Sequence, residues 1–153
     1  MSTKPGPTFG KRKPRLNHVA MSLSPDVLDE EHRKLLVDFY SDVFGFVELP
    51  MLTEDRRRLV LQVHDIEQFL FLIAEDEPMT APRLDHFGVS VASVADFEEV
   101  HRRAAAWAEK EPEHVDLIAP QVEEYVGALK LHSFYVRYRL PLMLETQHFE
   151  YLF

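Results

Sequence analysis

Apolar and polar residues alternate along residues 16–23. His18, Ala20 and Ser22 fall on one side of an extended segment, and Val19, Met21 and Leu23 on the other. The pattern predicts a half-buried strand. After the breaker Ser24-Pro25-Asp26 the period lengthens. Leu28, Leu35, Leu36, Phe39, Tyr40, Val43 and Phe44 recur at helical spacing and predict an amphipathic helix over 29–44, stopped by Gly45. Short strands are predicted at 46–51, 59–64 and 69–74, separated by polar connections. Residues 75–83, with Pro78 and Pro82, form a link. The order then repeats: a strand at 84–91, a helix over 94–107 and strands at 115–118, 130–137 and 142–146. Val94, Phe97, Val100, Ala104 and Trp107 make the apolar face of the second helix. Residues 120–127 show no clear period, and no element is predicted there.

The two leading strands are copies. Leu16-Asn17-His18-Val19-Ala20-Met21-Ser22-Leu23 is answered 68 residues later by Leu84-Asp85-His86-Phe87-Gly88-Val89-Ser90-Val91. Both read Leu-x-His-x-x-x-Ser-apolar. A repeat of strand then helix at this period implies two copies of one βαβββ unit. His18 and His86 hold equivalent places, so pseudo-symmetry between the units is expected to bring the imidazoles together. Either histidine alone would read as a hydrogen-bonded core residue.

Composition narrows the chemistry. At 153 residues, with 46% hydrophobic and 28% charged residues, the chain is read as one globular domain. With no cysteine, disulfides and thiolate ligands are excluded, and a transition metal would need His and carboxylate ligands. The longest apolar run, Phe69–Ala74, is too short to span a bilayer, and no secretory segment is evident. A cytoplasmic protein without a membrane partner is expected. Residues 1–15 hold five basic residues and no acid, and are read as a disordered basic leader. Against a net charge of −9, that leaves −14 for residues 16–153, which should repel nucleic acid. Glu145 follows Leu142-Met143-Leu144, and a carboxylate in an apolar strand needs a partner. A bound cation, Arg137 or Arg139 would serve.

With these residues in place, the chain resembles the vicinal oxygen chelate superfamily over about residues 16–150. That superfamily includes glyoxalase I, fosfomycin-resistance proteins, extradiol dioxygenases and bleomycin-resistance proteins. Besides the histidine strands, Phe39-Tyr40-Ser41-Asp42-Val43-Phe44-Gly45-Phe46 is similar to its helix-end motif, and residues 134–145 to its last hairpin. The turn Tyr138-Arg139-Leu140-Pro141 differs from the Asp-Pro-Asp-Gly-like turn of many members.

The resemblance implies an α+β fold of two βαβββ modules, about 16–74 and 84–147, forming a curved mixed sheet around a cavity. It implies His18, His86 and Glu145 as metal ligands, with Phe71 where glyoxalase I usually has a fourth, Glu ligand. Tyr135, ten residues before Glu145, is similar to the tyrosine of the extradiol signature and is the expected catalytic residue. His148 is out of phase with Glu145 and is a minor alternative ligand. The implied cofactor is a divalent ion (Fe, Mn, Zn or Ni), the partner a small vicinal-oxygen substrate, and the assembly a homodimer. Dioxygenase-like or fosfomycin-resistance-like chemistry is favoured over glyoxalase I. A metal-free binding protein of the bleomycin-resistance kind and a scaffold used only for assembly are the rival readings.

Overall fold

A computed structural model describes residues 13–52 and 57–153. Of the expected basic leader, residues 1–12 lie outside the described residues. The first unit runs β1 (His18–Leu23), α1 (Glu30–Phe44), β2 (Val47–Glu48), β3 (Arg58–Gln62) and β4 (Phe69–Ala74). The second runs β5 (His86–Ser90), α2 (Val94–Lys110), β6 (Val115–Tyr125), β7 (Leu129–Tyr138) and β8 (Met143–Tyr151). Each unit makes its own sheet, in the orders β1-β4-β3-β2 and β5-β8-β7-β6. The first and last strands of a unit pair in parallel, and the others pair antiparallel. This is the expected α+β architecture of two matching modules.

Local chemistry sets the helix ends. Asp29 accepts the His32 backbone N–H at 2.9 Å at the start of α1. Gly45 ends it in the left-handed conformation at φ 73°, which a residue without Cβ adopts freely. Ser93 caps α2 by accepting from the Asp96 N–H at 3.0 Å. The strand alternation then decides what is buried. Met21, Leu23, Leu59, Leu61, Leu70 and Leu72 point to the helix side and are nearly inaccessible. His18, Ala20 and Ser22 point away, as their period requires.

The two units share one core. Phe39 of α1 stacks on Tyr138 of β7 with centroids 4.5 Å apart and meets Trp107 of α2 edge-on at 5.4 Å. The buried Tyr40 hydroxyl donates to the Tyr138 carbonyl at 3.1 Å and accepts its N–H at 3.3 Å. Trp107 Nε1 donates to Asp42 at 2.9 Å. Tyr40→Phe leaves that carbonyl and N–H without their bridging hydroxyl. A loss of about 1–3 kcal/mol is expected in urea unfolding.

The elements differ from expectation mainly in the sheets. β2 is only two residues, because Pro50 opens a short 3-10 turn where strand was expected. β6 was expected to stop at 118 but continues through Pro120 to Tyr125. A proline lacks the ladder donor, so it is tolerated only at an edge or a bulge. β6 is the sheet edge, and its register shifts between Ile118 and Gln121. β8 likewise runs on to Tyr151, because it remains paired with the lengthened β7.

Candidate active site

The parallel pairing of β5 with β8 sets Gly88 beside Glu145 and His86 beside Met143. Antiparallel pairing of β7 with β8 sets Tyr135 on the other side of Glu145. Side chains two residues apart share a face. His86, Gly88, Glu145, Gln147 and Tyr135 therefore share the face opposite α2. Gly88 leaves that face bare beside the carboxylate.

Glu145 is buried, with 8% of its surface exposed, and its carboxylate is fully engaged. Oε1 accepts from Gln147 Nε2 at 3.0 Å, and Oε2 lies 3.1 Å from His86 Nε2. His86 Nδ1 is 2.9 Å from the Leu84 carbonyl. A carbonyl oxygen only accepts, so Nδ1 carries a proton. In the neutral ring, Nε2 then presents a lone pair to a carboxylate oxygen. Two acceptors at that distance repel unless a proton or a metal cation lies between them. Two ligands each ~2.1 Å from one ion and at right angles would be ~3.0 Å apart, so the pair fits two adjacent coordination positions.

Tyr135 stands over this pair, its ring edge-on to His86 at 5.1 Å. Burial pushes its phenol pKa up, and the charge and hydrogen bond of Glu145 push it further. Tyr135 is therefore a protonated donor at neutral pH.

His18 sits on the equivalent face of the first sheet. Its ring stacks on Phe69 at 5.0 Å, and its Nδ1 donates to Asn17 Oδ1 at 2.8 Å. Both histidines thus have Nδ1 committed, which is how second partners orient a metal-binding imidazole through its other nitrogen. His18 and Gly88 line one cavity of about 110 Å³, together with Val63, Phe69 and Phe87. Even so, among the described residues no three His, Asp or Glu side chains come together as a metal-holding group. The structure brings His86, Glu145 and Tyr135 together within a chain and does not add His18 to them.

The register also locates the position where a fourth ligand was expected. Ala20 pairs with Phe71 in β1–β4 as Gly88 pairs with Glu145 in β5–β8. Phe71 therefore holds the position equivalent to Glu145. The alternative partners of Glu145 are occupied elsewhere: Arg137 bonds Asp116 at 3.2 Å, and Arg139 lies 3.6 Å from Glu111. His148 faces the helix side, where its Nδ1 donates to the Val91 carbonyl at 3.0 Å. Gln147 orients the site through Glu145. Asn17 was missed, although it directly precedes the histidine. The Leu84 carbonyl was also missed and has no side-chain signature at all.

No protein-family model matches the chain, and no curated protein sequence matches it. Solved structures do. A glyoxalase family protein from Bacillus anthracis superposes with a TM-score of 0.62 at 15% identity, covering 93% of this chain and 100% of that one. Lactoylglutathione lyase from Agrobacterium tumefaciens gives 0.54 at 16% identity, covering 90% and 96%. The fosfomycin resistance protein FosX from Listeria monocytogenes gives 0.60 at 12% identity, covering 88% and 91%. Among the described residues no helix is long and apolar enough to cross a membrane. Paired histidine strands, two modules of one topology and these superpositions agree: the chain has the fold of the vicinal oxygen chelate superfamily.

Proposed function

We propose that the protein is a divalent-metal-dependent enzyme acting on a small molecule with vicinal oxygens. We further propose that it works as a homodimer in which the partner subunit's His18 joins His86 and Glu145. The observation that carries this reading is the 3.1 Å approach of His86 Nε2 to Glu145 Oε2 with Nδ1 already committed. A divalent ion held there would act as a Lewis acid toward a substrate oxygen. The chain's own residues do the rest. Gln147 and Tyr135 hold the carboxylate by donating to it. The Leu84 carbonyl fixes the tautomer of His86. Tyr135 has a single proton, given to Glu145 in the free site; a substrate bound beside the carboxylate would receive it instead on one of its oxygens.

Elemental analysis tests the proposal. The protein, purified without chelator and offered Fe, Mn, Ni and Zn, is expected to retain one of them. Retention of none would sink it. The second reading, a metal-free small-molecule binder, is favoured by the want of a third ligand among the described residues. The same analysis separates the two.

Reaction class follows from Phe71. A phenylalanine at the position matching Glu145 removes both a ligand and a base for proton abstraction. Negligible isomerisation of the glutathione–methylglyoxal adduct is expected from Ni- or Zn-loaded protein. Turnover of ~1–10³ s⁻¹, abolished by His18→Ala, would place the activity with glyoxalase I instead.

A further inference from the structure

The second sheet outruns its helix. β6, β7 and β8 have 11, 10 and 9 residues, against 2, 5 and 6 in β2, β3 and β4. The register sorts the surplus into rows. On the face that carries Glu145 and Tyr135, the next row is Gln147, Ser133 and Gln121. Beyond it come Phe149, Leu131 and Glu123, and then Tyr151, Leu129 and Tyr125. The opposite face carries His148, His132 and Val122, then Glu150, Lys130 and Glu124. The projecting end is thus mostly charged or polar on the helix side and mostly apolar on the side of the site. Phe149, Tyr151 and Tyr125 are 39%, 63% and 51% exposed. Tyr125 ties its hydroxyl to Glu123 at 3.0 Å, which leaves its ring to offer an apolar face.

We infer that this face binds the apolar tail of the substrate whose oxygenated head is held at His86 and Glu145. The inference rests on the reading of that site given above. Continuity is the first argument. Rows on one face are ~6.8 Å apart, so Phe149 stands ~14 Å and Tyr151 ~20 Å along the strand from Glu145. The intervening amides and hydroxyl of Gln147, Ser133 and Gln121 match a polar spacer. The substrate class is therefore a molecule with a vicinal-oxygen head, an amide- or ester-like spacer and an alkyl or aromatic tail. Size is the second argument. The rows supply three exposed rings and two half-buried leucines, far fewer than the ~20–30 residues a side of a stable protein interface. The patch suits a ligand tail better than a second copy.

The test is calorimetric titration of the Zn-loaded protein with a catechol, 3,4-dihydroxybenzamide, and with its N-octyl derivative, which carries the amide spacer and a tail long enough to reach Phe149. It compares the parent, Glu145→Gln and the double variant Phe149→Asn, Tyr151→Asn, whose replaced residues are exposed. In the parent the octyl compound is expected to bind at least about tenfold tighter than the benzamide. In the double variant that gain should fall below about threefold, with benzamide affinity unchanged. Benzamide binding without a tail gain, or a gain that survives in the double variant, overturns the inference and leaves the site reading intact. A double variant that loses its oligomeric state also overturns it, and assigns the face to a second copy. Benzamide binding that Glu145→Gln does not weaken overturns the reading of the site itself.

Discussion

Mixing His18→Ala protein with Glu145→Gln protein is expected to restore metal retention that neither variant has alone. Each variant removes one ligand type from every site, and a loss of at least ~100-fold in affinity is expected for either. In a twofold dimer with shared sites, a mixed pair puts both lesions in one site and leaves the other whole. Random exchange then returns about a quarter of the parent capacity. Metal content after co-refolding or subunit exchange reads the result directly. If the parent retains metal and the mixture restores none, His18 serves its own chain. The cavity it shares with Gly88 would be the route to that closure.

The second large effect concerns the joint between the modules. Phe39→Ala is expected to cost about 3–5 kcal/mol. The ring is fully buried and touches Tyr40, Tyr138 and Trp107, so its removal opens a hole between both helices and β7. A domain of this size is stable by only about 5–15 kcal/mol, so the variant should unfold at much lower urea. Both modules should lose structure in one transition, because the lost contacts belong to both. A biphasic curve in which one module melts unchanged would show that Phe39 does not couple them.

Much of the architecture was readable because each strand faces a helix on one side only. That geometry writes a period of two into residues 16–23 and 84–91, and the repeat of the histidine fixes the correspondence. Burial then follows the alternation, with Met21 and Leu23 inside and His18 out. The strand ends were not readable. Residues 121–125 pair on one edge only and lie beyond the helix layer, so no alternation marks them as strand. Pro120, in the stretch where no element was predicted, is tolerated where the register shifts.

For the site, Glu145 stood out as a carboxylate among apolar neighbours. Its partner could not be chosen from spacing, since His86 lies 59 residues away while Arg137 and Arg139 are near in sequence. The approach of His18 was unreadable for another reason. Equivalence under a repeat fixes matching positions within the modules, but the gap between modules is set by how Phe39, Tyr40, Trp107 and Tyr138 pack.

Pro120 also bears on what the long sheet edge can pair with. An eleven-residue strand at a sheet edge offers a row of open donors and acceptors, which is a template for uncontrolled polymerisation. Here one donor is deleted by the proline ring, and the shifted register next to it breaks the straight run. Glu123 and Glu124 then place like charges where a second edge would have to approach. The edge is guarded against zipping into fibrils, so a homodimer of the kind proposed would have to form through faces.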